Sequence, residues 1–297
     1  MILVLPRGDQ LDALAILLDE DQYVQGQARE LPDPVLLGRR MAALYRCWSG
    51  REGVDLVDLT EGFLGRLGAI GEPIGRTCLE AAAEVARWGG HPYHSARHHA
   101  EVATNAMMIA ELAGRIGQPM SSRYRGLLLA SSLAHDIYFQ PLQQPRTRFA
   151  AETVSARALD GIAARCGLDS DDRRALWCLI LATEPSFRSV LAKLLAGHAA
   201  SKGLPRRLGL LTRQPALAGI AAALSDADML SSSGLTERWH DVQITRLESE
   251  SGNRIGPDDD KRFFALVVGD DFLSTAGRHF SSNLARIRRC VADHAAH

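Results

Sequence analysis

Along most of this chain apolar residues recur every three or four positions, the spacing that buries one face of a helix, and no series of alternating strand positions interrupts it. Residues 9–20 and 34–48 read as amphipathic helices, with Pro32 and Pro34 breaking the chain between them. Glycines at 50, 53, 62, 65, 68 and 71 loosen the pattern before a long helix over about 72–88, which Gly89 and Gly90 end. A helix over about 95–116 carries Val102, Ala106, Ile109, Ala113 and Ile116 on its apolar side, and the next covers about 122–137. The stretch from Gln140 to Arg148 is rich in Pro and Gln and reads as a loop. Helices follow at about 149–166 and 170–184, separated by Gly167 and bounded by Pro185. Residues 197–213, rich in Gly and basic side chains, read as looped. Pro215 suits the first turn of a helix that carries Asp226 and Asp228, and two or three helices remain after Gly234. The expected fold is all-α, with a boundary near residue 70 between an N-terminal helical extension (1–70) and the main domain (71–297).

Composition changes this picture little. Of 297 residues, 46% are hydrophobic and 23% charged, ordinary usage for a soluble globular protein with a sizeable core. A net charge of -1 gives no footprint for stable nucleic-acid binding or for an anionic membrane. The basic patch Arg278, Arg286, Arg288 and Arg289 reads as a solvated helix face. Five cysteines, odd in number and without a Cys-x-x-Cys pair, indicate neither a zinc knuckle nor a disulfide framework. The apolar start, Met1 to Pro6, lacks the basic leader and length of a signal peptide, and no apolar run approaches a membrane span. A soluble cytoplasmic protein is expected, with no membrane partner; residues 1–70 are candidates for a regulatory surface or one that forms a homodimer.

The chemistry lies in charged residues on stretches that otherwise read as buried helix: His91-Pro-Tyr-His94-Ser-Ala-Arg-His98-His99-Ala-Glu101, Leu127 to His135-Asp136, and Ala223-Leu-Ser-Asp226-Ala-Asp228. Such side chains are costly in a core unless paired or bound to a metal. His98, His135, Asp136 and Asp228 have the types and order of a cage for one divalent ion, with Asp136 free to bridge a second. Two imidazoles and two carboxylates suit Mn²⁺, Fe²⁺, Zn²⁺ or Mg²⁺. His94 and His98 share a helix face, and Glu101, one turn beyond, is placed to orient the imidazole of His98. His135 and Asp136 are adjacent, so on a helix their side chains diverge by about 100°, yet they can still converge if the ion sits over the edge between them. By contrast, His240-Asp241 reads as an exposed pair, His91 and His99 as solvent-facing, and Asp226 as a polar helix residue or a partner of the ligands.

At these positions the chain resembles the HD-domain superfamily of metal-dependent phosphohydrolases, over roughly residues 75–290. Pro92-Tyr93-His94-x-x-x-His98-x-x-Glu101-Val102 is further similar to the signature of the class I cyclic-nucleotide phosphodiesterases. The resemblance implies an HD-like helical bundle in which His94 is a general acid and His98, His135, Asp136 and Asp228 are ligands. The runs Glu152 to Ala156 and Leu179 to Thr183 also look like smaller bacterial HD phosphohydrolases. The chain departs from the phosphodiesterases at Ser95, where they carry Asn, and at Glu101, where they carry Asp. Ile137-Tyr138-Phe139 lacks their further histidine, Glu184-Pro185-Ser186 lacks a histidine common in the bacterial relatives, and no residue matches the purine-recognising Gln.

The expected activity is therefore metal-dependent phosphoester hydrolysis by a metal-activated water, on a nucleotide or other small phosphorylated substrate. His94 would protonate the leaving group, and Arg146 and Arg148 would clamp phosphate. Two other readings stay open: an HD-fold di-iron oxygenase, for which only His198 lies between the His-Asp pair and Asp228, and a metal-stabilised module that binds a nucleotide or a partner.

Overall fold

The computed structural model describes residues 13–18, 30–49, 53–88, 91–138, 147–198 and 205–294, and among these there is no strand. The N-terminal helices are α1 (Ala13–Leu18), α2 (Pro34–Cys47), α3 (Leu56–Leu67) and α4 (Pro73–Trp88). The centre comprises α5 (Ala96–Arg115), α6 (Ser122–Ala134), α7 (Ala150–Arg165) and α8 (Ser170–Leu181). Then come α9 (Arg188–Leu195), α10 (Gly209–Arg213), α11 (Pro215–Ser233), α12 (Glu237–Ser251), α13 (Pro257–Phe263) and α14 (Ser281–His294). No single helix among the described residues is long and apolar enough to cross a membrane.

Three elements escaped the periodicity. The glycine-bearing stretch expected to be loose contains α3, because Asp55 caps it by accepting from the Val57 and Asp58 amides and Gly68 ends it at φ 64°. After Pro185 the chain does not loop but resumes as α9, and α10 lies within the expected loop 197–213. Pro185 opens a short 3₁₀ turn that leads straight into α9, so it starts structure as well as ending it.

The helices α5 and α11 form the axis of the molecule and pack most extensively on one another. Both are buried nearly all round, and alanines at 100, 103, 106 and 110 on α5 and at 221, 222, 223 and 227 on α11 let the backbones approach. Their register is set by Asn105, whose amide donates to the Ala227 carbonyl (2.8 Å) and to Ser231 Oγ (2.9 Å) while its oxygen accepts from the Tyr45 hydroxyl (2.6 Å). A buried amide satisfied on both ends costs little; slipping the helices by a turn would orphan all three groups. Around this axis α6 packs on α4 and α5, α7 on α8 and α4, and α12 on α11. The core runs without a break from Ala13 to Val291 and includes α2 and α3.

A second buried device anchors the C-terminal segment. Arg188 of α9 donates to Asp226 Oδ1 (2.9 Å), Ser225 Oγ (2.8 Å) and the Val268 carbonyl (2.9 Å). Asp226 in turn accepts from the Leu273 amide (2.8 Å) and the Ser274 amide and hydroxyl (both 2.7 Å). Gly277 is required here, since a Cβ would lie 2.4 Å from Asp226 Oδ2. Asp226 is thus a structural anchor, two residues from Asp228.

Two histidines differ from expectation. His240 is buried rather than exposed, its Nδ1 donating to the Ser232 carbonyl (2.6 Å) and its Nε2 facing Asp260 (2.8 Å). His99 is wholly buried between α5 and α6, its ring 5.1 Å from that of His135, and burial pushes it down to about 3. Helical periodicity alone could not place either, because both lie on faces covered by elements distant in sequence.

Candidate metal centre

His98 stands in the first turn of α5, and α11 carries Asp228 to it along the alanine-lined contact. The adjacent pair is delivered differently from the expected helix. Helix α6 stops at Ala134, and residues 135–138 form a turn in which Ile137 N bonds Ala134 O (3.2 Å) and Tyr138 takes a left-handed φ of 60°. His135 keeps helical backbone angles (φ -57°, ψ -34°), and its Nε2 still meets Asp136 Oδ2 at 3.2 Å. A non-glycine residue in the left-handed conformation of Tyr138 costs on the order of 1 kcal/mol, which the surrounding packing must hold in place. Part of that hold is Ser155 of α7, which donates to the Ile137 carbonyl (3.1 Å).

The four side chains named as ligands come together. His98 Nε2 and His135 Nε2 are 3.2 Å apart. Asp136 Oδ2 lies 3.2 Å from His135 Nε2 and 4.0 Å from His98 Nε2. From the other side, Asp228 Oδ1 lies 3.5 Å from His98 Nε2 and 3.6 Å from His135 Nε2. Donor atoms of His98, His135 and Asp136 all fall within 4.8 Å of one another. Both imidazoles are buried, and each carboxylate is 17% exposed, so the cluster opens to solvent on its acidic side.

The donors fit a divalent cation. His135 Nδ1 donates to the Ser132 carbonyl (3.0 Å), which fixes the tautomer and leaves Nε2 with its lone pair toward the cluster. His98 Nε2 faces it, and two such lone pairs repel unless a positive charge lies between them. With no metal, a proton does this work. Burial would lower His135, but Asp136, by charge and hydrogen bond, and then Asp228 hold it well above its usual value. Asp136 is correspondingly held low, chiefly by His135 against the opposing effect of burial. His98 is held well below its usual value by burial and by the neighbouring imidazoles, as suits a neutral ligand.

At the rim sits His94, with Nε2 3.6 Å from Asp136 Oδ2. Its Nδ1 is bound to Glu250 Oε1 at 2.5 Å, while Glu250 Oε2 accepts from the backbone amides of Tyr93 and His94, both at 2.9 Å. Glu250 therefore grips the ring and its backbone together. Burial would raise this carboxyl, but the hydrogen bond and charge of His94 lower it, so it stays ionised.

Glu101 does not take the orienting role expected of it. It is fully buried, with Oε2 accepting from Gln243 (2.8 Å) and Oε1 from Arg246 (2.9 Å), and His98 Nδ1 has no hydrogen-bond partner. The buried guanidinium outcompetes a neutral imidazole for a buried carboxylate. Arg148 is on the surface, paired with Glu184 (3.2 Å) and lying over the Phe149 ring, rather than against the cluster. Arg146 lies outside the described residues. His198 is exposed beyond α9.

Sequence reading missed Glu250, Arg246 and Gln243. A signal was present: Trp239, Gln243, Arg246 and Glu250 recur at helical spacing along α12, a polar stripe on the face turned toward α5.

No family model and no curated protein matches the sequence. Among solved structures, the chain is similar to the phosphodiesterase domain of the RhoPDE fusion protein from the choanoflagellate Salpingoeca rosetta. That alignment has a TM-score of 0.56 at 15% identity and covers 84% of this chain and 94% of that one. A second structure, the phosphodiesterase domain of Salpingoeca rosetta rhodopsin phosphodiesterase, gives a TM-score of 0.56 at 14% identity over 83% and 90% of the two chains. What the chain shares with these domains is the all-α fold.

Proposed function

We propose that this chain is a divalent-metal-dependent phosphohydrolase of the HD-domain kind, which cleaves a small phosphodiester or related phosphoester. The observation that carries the reading is the convergence of His98, His135, Asp136 and Asp228 beside a histidine held by a carboxylate, in a fold shared with phosphodiesterase domains. A divalent ion in such a site supplies a water of lowered pKa and offsets charge on a phosphoryl oxygen. His98 and His135 offer neutral Nε2 atoms, and Asp136 and Asp228 balance the charge from the open side. His94 is turned by Glu250 so that Nδ1–H faces the carboxylate and Nε2 faces the rim of the cluster. Protonated on both nitrogens, the ring is stabilised by Glu250 and presents an Nε2 proton to a leaving oxygen. We place this chemistry in the cytoplasm, where cysteine thiols stay reduced.

The test is elemental analysis of protein purified without added metal, beside a phosphoester panel supplied with Mn²⁺, Mg²⁺ or Zn²⁺. Bound metal and metal-dependent phosphoester cleavage are expected, both abolished by Asp136→Ala. Bound metal without cleavage of any phosphoester would sink the hydrolase reading; two irons with oxygen consumption would replace it by an oxygenase.

A further inference from the structure

Arg97 is a cation short of counter-charge. It stands in the first turn of α5, three residues after His94 and immediately before the ligand candidate His98. Among the described residues the one carboxylate within reach is Glu101, 3.8 Å from Arg97 Nε, beyond hydrogen-bonding distance. Both oxygens of Glu101 are already engaged, by Gln243 at 2.8 Å and Arg246 at 2.9 Å. Arg97 Nε is buried without a hydrogen-bond partner, although the side chain as a whole is 24% exposed. Two guanidiniums therefore share one carboxylate. The start of α5 adds to the excess of positive charge: Ser95 does not cap it with its side chain, and no acidic residue occupies its first turn.

This surplus adjoins the metal centre. The Tyr93 ring lies 4.8 Å from that of His98. Arg97 directly precedes His98 on α5, and Glu101, the carboxylate it shares with Arg246, stands one turn beyond His98. A largely buried guanidinium whose Nε lacks a hydrogen bond is costly, and an anion from solution offsets that cost.

We infer that Arg97 marks an anion subsite beside the metal centre, which receives a phosphate of the substrate other than the one that is cleaved. The inference rests on the phosphoester reading and narrows it to phosphodiesters that carry a second, terminal phosphate. Arg97 is then a specificity residue: it contributes to binding a remote group and not to the chemical step.

The test compares two esters on the metal-loaded protein, thymidine 5′-(p-nitrophenyl phosphate) with and without a 3′-phosphate. Arg97→Gln is expected to raise KM for the 3′-phosphorylated ester about tenfold, the scale of a charged hydrogen bond. KM for the other ester and kcat for both should stay within about twofold, since uniform binding alone is lost. Arg97→Lys, which keeps the charge, should hold KM for the phosphorylated ester close to that of the parent. An equal rise in KM for both esters, no rise for either, or a fall in kcat for both overturns the subsite. If the parent protein cleaves neither ester, inorganic phosphate titrated calorimetrically into metal-stripped protein decides. Binding weakened by Arg97→Gln and kept by Arg97→Lys retains the subsite and discards the phosphodiester reading; equal binding in all three proteins overturns the subsite.

Discussion

A histidine can deliver a proton only from a fixed orientation, and here Glu250 supplies it, holding the His94 ring and two adjacent backbone amides with a single carboxylate. His94→Ala should keep its metal and lose about 10²–10⁴-fold in turnover, the usual contribution of a positioned acid. Glu250→Gln should keep its metal too and lose part of that factor, and the double variant should be no slower than His94→Ala, because the two act as a unit. Metal analysis beside turnover checks this; loss of metal in Glu250→Gln would mean that Glu250 serves the cluster instead. The four converging donors were readable in the sequence because metal chemistry restricts ligand types so sharply that three short motifs identify them. Glu250 was not, since a separation of 156 positions from His94 carries no spacing rule. Glu101 misled for the opposite reason: its helical spacing from His98 was right, but Arg246 from another helix took the carboxylate first.

Among the elements, the long amphipathic helices were legible to within a few residues, and what was lost was where they stop. Helix α6 was expected to run to about residue 137, and it ends at Ala134 with the His-Asp pair in the turn just beyond it. Helix α3 was hidden by glycines that its caps outweigh. The junction of α12 and α13 yields a pH prediction. Burial would lower His240, but its hydrogen bond to Asp260 and the charge of that carboxylate raise it above the usual value of 6.5. A raised folded-state value means that the stabilisation is complete below pH 6.5 and is lost as pH rises through the raised value. Urea unfolding between about pH 6 and 9 should show stability falling over that window, with a shallower slope in His240→Gln. Identical slopes in the two proteins would remove His240 from the account.

On the scale of the whole molecule, the metal centre joins α5, the turn after α6 and α11, so binding a cation should stabilise the fold and not only the site. At a concentration about 100 times its Kd, one ion adds about 2.7 kcal/mol, a rise in Tm of about 4 °C for a chain of this size. Differential scanning calorimetry with and without Mn²⁺ would show it, and Asp136→Ala should erase the difference; a parent protein indifferent to every divalent ion would mean that the cage holds none. The all-α class was visible beforehand; the axial place of α5 and α11 was not, because the 95–116 pattern showed one apolar side while both helices are buried nearly all round.

The Arg188–Asp226 anchor and Glu250 have a consequence for the order in which this protein becomes competent. The ribosome makes His98, His135 and Asp136 in the first half of the chain, but Asp228 comes in the last third, on a helix whose neighbouring Asp226 is satisfied only when Leu273 and Ser274 exist. Until then the nascent chain carries three converging donors with no fourth, and a histidine with no carboxylate to hold it. On the proposed reading, competence requires the chain to have been made through Ser274, so a product truncated before Asp228 would hold three of the four donors and no activity.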